Sequence, residues 1–154
     1  ITEPVKAFEK TSDDQHDIAL LTDFDMRFTQ MSDDMEDELT KMHEEGSLTD
    51  EFAHNRKRDN IRSALNMLKE LDLKTQQGRY IQGLIAEYWQ TQAKLYDENK
   101  DNKTEEMKNS GDRVKGLANF LHAQDQLEHW QSQYPEMSKT DTLKTEATKS
   151  ESLK

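Results

Sequence analysis

The sequence has no cysteine. Disulfides, thiolate metal sites, iron–sulfur clusters and cysteine nucleophiles are therefore excluded. Glycine and proline are scarce, at 5 and 2 of 154 residues. Sharp turns are correspondingly few, which argues against a many-stranded β fold. No run approaches the roughly 18 apolar residues of a membrane span, and no stretch reads as a signal peptide. Apolar residues make up only 32% of the chain, against roughly 45–50% in ordinary globular domains. Positive charge is also in deficit, with 21 basic against 32 acidic residues and a net charge of −11.

What is present fits long helices with narrow apolar stripes and wide solvated faces. The charge is unevenly placed. From Asp13 to Glu51 there are 14 acidic and 2 basic residues, a balance of −12; the rest has 18 acidic and 19 basic, or +1. Nucleic-acid binding needs a basic footprint and is disfavoured. Docking on anionic lipid is disfavoured for the same reason.

Hydrophobic spacing predicts four helices. Residues 1–12 form a leading segment in which Pro4 is expected to open a short helix, with Val5 and Phe8 as anchors. Ser12 or Asp13 is expected to cap the first long helix, from about Asp14 to Glu45. Its stripe is Ile18, Leu21, Phe24, Phe28, Met31, Met35, Leu39 and Met42, at steps of three and four. Gly46 is a natural stop. Ser47 or Thr49 caps a second helix running to about Leu71, with Phe52, Ile61, Ala64, Leu65, Leu68 and Leu71 inward. Its polar first half, residues 54–60, either projects beyond the core or lies beside the acidic helix. Thr75 starts a third helix to about Glu98. Residues 97–106 connect to a fourth, capped by Thr104 or Asp101, whose stripe holds Met107, Val114, Leu117, Phe120, Leu121, Leu127 and Trp130. Pro135 ends it. The expected fold is all-α: an antiparallel four-helix bundle, up-down-up-down, over residues 1–134, with a flexible polar tail from 135 to 154.

Chemistry-bearing patterns are weak. Met31, Met35 and Met42 invite a soft-metal reading, but their spacing is that of core knobs. Glu51 and His54 match the ExxH spacing of di-iron bundles without a second copy. His122 and His129, seven apart, share a face and could join a carboxylate in a zinc site. Asp97, Asn99, Asp101 and Glu105 start like a calcium loop, which then fails at Asn102 and Lys108. Asp33, Asp34, Glu36, Asp37 and Glu38 splay from one helix and would attract calcium only weakly. Arg56, Lys57, Arg58 and Arg62 are natural partners for the acidic helix. Residues 71–89, LDLKTQQGRYIQGLIAEYW, faintly resemble the LTxxQ-type helix starts of small periplasmic stress chaperones. The spacing here is L-x-T-x-Q, through Leu73, Thr75 and Gln77, and carries no family assignment.

No phosphate loop, nucleophile elbow or other catalytic set stands out. The expected function is non-enzymatic and without a cofactor: a binding or structural protein acting through the acidic face of the first helix, with Asp25, Asp33, Asp34, Glu36 and Asp37 meeting a protein partner of basic surface. A homo-oligomer is compatible with this. The leading Ile1 suggests a processed bacterial envelope protein, periplasmic or lipoprotein, with a cytoplasmic location as the alternative. Two other classes compete: a metal-binding bundle and an ATP-independent holdase.

Overall fold

The computed structural model describes residues 3–98 and 111–137. They form four helices: α1 (Asp14–Glu44), α2 (Asp50–Lys69), α3 (Gln76–Glu98) and α4 (Gly111–Ser132). The protein is an all-α antiparallel bundle, and no strand occurs among the described residues. None of its described helices is long and apolar enough to cross a membrane. The expected capping residues of the fourth helix and the tail from residue 138 lie outside the described residues.

Local chemistry sets the helix boundaries. Gly46 leaves α1 with φ of +75°, a conformation that costs other residues a Cβ clash. Of the two candidate caps for α2, Thr49 serves: its hydroxyl accepts the Phe52 N–H at 3.1 Å. Thr75 does the same for α3, accepting the Gly78 N–H at 2.8 Å. At α1 the expectation needs correction. Asp13 occupies the cap position, but its side chain accepts no bond from the helix. Asp14 and Thr11 bond each other instead, with the Thr11 hydroxyl donating to Asp14 at 2.7 Å.

Helix α3 is central. It packs most extensively on α4 and α2, whereas α1 meets α4 only sparsely. A core of Ile18, Leu21, Leu73, Ile81, Ala123 and Trp130 fills one end of the bundle. Met35, Leu39, Ile61, Leu65, Leu68 and Leu95 continue the buried interior. Met35 is thus filling, as its spacing implies. Met137 also packs against the core, in a helical turn beginning at Pro135, beyond the expected domain boundary.

Other expectations change. Residues 3–11 contain no helix despite Pro4, and Val5 is exposed, so of the two expected apolar anchors Phe8 serves, through the Tyr80 ring at 5.5 Å. Phe52 and two stripe residues of α4, Leu117 and Leu121, are 39%, 45% and 40% exposed. The polar first half of α2 does not project; it lies half-buried beside its neighbours, where Arg56 donates to Glu38 of α1 at 3.0 Å and His54 stacks on Tyr96 at 4.8 Å. Arg58 and Arg62 make their ion pairs elsewhere, at 3.7 Å with Asp59 and with Asp97 of α3.

Candidate functional site

Sparse packing between α1 and α4 leaves a cleft of about 850 Å³. Its α1 wall follows helical spacing through Leu21, Phe24, Asp25, Phe28, Ser32 and Asp33, and its α4 wall runs through Phe120, Gln124, Leu127 and Glu128. Ile85, Tyr88 and Trp89 of α3 form the floor. The volume falls in the range of ligand clefts, roughly 300–1,000 Å³.

The cleft is lined by a continuous ladder of rings. Phe24 and Phe28 lie parallel at 6.2 Å, Phe28 meets Trp89 edge-on at 4.8 Å, and Tyr88 contacts both Trp89 at 4.8 Å and Phe120 at 4.6 Å. Edge-to-face contacts of this kind add stability beyond area burial and fix ring orientation. The buried indole N–H of Trp89 has no hydrogen-bond partner among the described residues, an expense normally avoided in a sealed core. The charged lining residues are Asp25, Asp33 and Glu128, all acidic and all exposed. The cleft therefore offers apolar and π surface inside a negative rim.

The five acidic residues expected to meet a partner are all exposed, but the structure does not place them together. Asp25 and Asp33 enter the rim of the cleft. Asp34 accepts from Gln30 at 3.0 Å on the surface of α1. Glu36 acts on the far side, where its charge, after burial, helps push the Tyr96 hydroxyl above its ordinary pKa. Asp37 lines none of the described clefts. Glu128, from α4, joins the rim without having stood out in the sequence.

Two other acids are more constrained than any of these. Asp14 and Asp17 are buried, at 2% and 0% exposure. Asp17 Oδ2 accepts the Thr75 N–H at 2.7 Å and its hydroxyl at 2.6 Å, and both carboxylate oxygens lie 3.0 Å from the Lys74 nitrogen. His16 Nδ1 donates to Asp17 Oδ1 at 2.8 Å. Asp14 accepts from the Thr11 N–H and hydroxyl and from the Tyr134 hydroxyl, the last at 2.5 Å. Burial is the largest single influence and pushes both carboxyls up, but the donors together outweigh it and hold each below its ordinary pKa. The Trp130 indole N–H contributes at Asp14 by proximity, though its geometry falls short of a full hydrogen bond. Tyr134 is pushed up to about 12 by burial and by the Asp14 carboxylate it bonds. These groups tie helix ends together, and Asp14, Thr11 and Thr75 also line a smaller cavity of about 380 Å³ beside residues 6–9.

The histidines do not converge. His122 is buried between Tyr80 and the main chain of Glu3, whereas His43 and His129 are exposed. His54 stacks on Tyr96, while Glu51 of the ExxH pair is exposed. No group of three or more His, Asp or Glu residues able to hold a metal ion occurs among the described residues. The fold defines the class, an all-α helical bundle with an open aromatic cleft. No protein-family model, curated protein or solved structure matches the chain.

Proposed function

We propose that the protein is a non-enzymatic binding protein whose α1/α4 cleft takes a cationic amphipathic segment of a partner protein. The observation that carries this reading is the pairing of an aromatic ladder with a wholly acidic rim in a single cleft. An amphipathic helix would lay its apolar face on Phe28, Trp89 and Phe120, the usual helix-in-groove mode. Its Lys or Arg side chains would meet Asp25, Asp33 and Glu128, and could also stack on the rings. Such binding weakens with salt, because the rim charges are exposed.

The test is titration with designed amphipathic helical peptides of matched apolar face and opposite charge. The cationic peptide should bind and quench Trp fluorescence, and charge reversal by D25K with D33K should weaken it at least tenfold. Equal binding of the anionic peptide, or indifference to the reversal, overturns the reading. The exposed Leu117 and Leu121 favour a second reading, a holdase that grips unfolded clients without ATP. It predicts suppression of client aggregation regardless of client charge, which the first reading does not.

A further inference from the structure

Residues 3–10 lie across α3 and α4 as a strap, and the hydrogen bonds that α4 makes to them go to main-chain atoms. The side-chain amide of Gln126 accepts the Lys6 N–H at 2.9 Å and donates to the Lys6 carbonyl at 2.7 Å. One amide satisfying both polar groups of a single residue requires that residue to be extended, as in a sheet ladder. The same Gln126 nitrogen donates to Gln77 at 2.7 Å. His122 holds the Glu3 carbonyl at 3.1 Å through Nδ1. A carbonyl only accepts, so Nδ1 carries the proton, and in the neutral ring Nε2 accepts from the Tyr80 hydroxyl at 2.7 Å. The strap's own side chains are exposed apart from Phe8, which is half-buried on Tyr80.

The floor and the strap are therefore mismatched. Gln126 is 0% exposed and Gln77 and His122 are also buried, so these polar groups need an occupant to satisfy them. The occupant contributes the Phe8 ring, the Lys6 and Lys10 ammonium groups over the Tyr80 and Tyr134 rings at 5.0 and 5.5 Å, and a few part-buried hydrogen bonds, with no fully buried side chain of its own. A cavity of about 380 Å³ remains between residues 6–11, Asp14 of α1 and the start of α3, where Thr75, Gln76 and Gln77 bound it. Backbone-directed contacts read conformation and register, not sequence, as in strand-addition binding of extended peptides.

We infer that the α3/α4 surface beneath the strap is a peptide-binding site, distinct from the α1/α4 cleft, for an extended segment of a partner polypeptide carrying an aromatic residue two positions after the residue gripped by Gln126. The strap is its built-in competitor. Opening the strap exposes Gln126, His122 and Tyr80 together, and an incoming strand replaces the same bonds in the same register.

The test uses the full chain and a fluorophore-labelled peptide with the strap's own sequence, Glu3–Lys10, followed by anisotropy. Phe8→Ala loosens the internal strap without altering the surface beneath it. It should raise the affinity for the peptide about tenfold. A second peptide, N-methylated at the amide equivalent to Lys6, lacks the donor that Gln126 accepts and should lose binding at least tenfold. That comparison leaves the protein untouched, so it is independent of any folding defect. Equal affinity of the unmodified and Phe8→Ala chains overturns the proposal, as does undiminished binding of the methylated peptide. A concentration-dependent dimer of the unmodified chain that Phe8→Ala abolishes, without peptide binding, would assign the surface to a second copy and also overturn it.

Discussion

The carboxylate of Asp17 caps a helix to which it does not belong: it accepts the backbone N–H of Thr75 at 2.7 Å and the Thr75 hydroxyl at 2.6 Å, 58 residues further along the chain. A negative charge at the start of α3 suits the helix dipole. It also fixes the first turn of α1 against α3, because its donors there are the Lys74 and Thr75 backbone N–H groups and the buried Thr75 hydroxyl. Asp17→Ala leaves the Lys74 and Thr75 N–H groups without this acceptor in a buried place. The expected cost is at least about 3 kcal/mol, given roughly 1.5–3 kcal/mol per charge-assisted bond. Urea denaturation measures it; a loss under about 1 kcal/mol would show that the capping is incidental.

Gly78 and Gly83 should respond to alanine in opposite directions, although both lie in the same helix. A Cβ on Gly78 would stand 2.4 Å from Asp17 Oδ2 and 2.9 Å from Thr75 Oγ1, so the substitution must displace the cap. A Cβ on Gly83 meets nothing within 4 Å. There the ordinary gain of alanine over glycine applies, up to about 1 kcal/mol. Gly78→Ala should instead destabilise by about 2 kcal/mol, since the clash exceeds the propensity gain. Thermal melts of the two single variants decide this by the sign of the shift.

The buried acids set the pH response. The folded-state pKa values of Asp14 and Asp17 lie below their ordinary values. A carboxyl depressed by folding contributes stability that is full above its unfolded pKa, about 3.9, and is lost as pH falls through the folded value. Stability should therefore drop steeply below about pH 4, and Asp17→Asn should flatten that slope. Tyr134 gives the alkaline limit. Its pKa is raised to about 12, so it stabilises fully below an unfolded pKa of about 10 and loses that contribution as pH climbs toward the folded value. Denaturation midpoints across the pH range measure both limbs, and Tyr134→Phe should remove part of the alkaline one.

Helix extent was legible in the sequence because period, caps and stops agreed: Gly46, Thr49 and Thr75 perform the roles their types suggest. The buried acids were not, because Asp14 and Asp17 resemble ordinary first-turn acids. A signal was present, however. Positions 14 and 17 extend the stripe of Ile18, Leu21 and Phe24 by helical spacing, and so lie on its buried face. The cleft was legible only in part. Phe24, Phe28 and Phe120 read as core, and the acids of α1 as one solvated face. Which acids join the aromatic surface depends on how far α1 and α4 stand apart, a property of three-helix packing that spacing within one helix does not encode. The strap shows the same limit: Phe8 was recognisable as an anchor, whereas the grip of Gln126 on Lys6 spans 120 residues.

Stability and binding should part company at the rim. Asp25 and Asp33 are exposed and sit within the −12 segment, so their mutual repulsion and that of their neighbours opposes folding. Neither makes an ion pair among the described residues. The double variant D25N/D33N should therefore be as stable as the parent or more so, by a few tenths of a kcal/mol at low salt, and the difference should vanish as salt screens the charges. The same variant should lose affinity for a cationic amphipathic peptide. Residues that oppose folding yet favour a ligand are the pattern of a binding surface. A drop in melting temperature on neutralisation would instead make these acids structural and remove the rim from the proposed site.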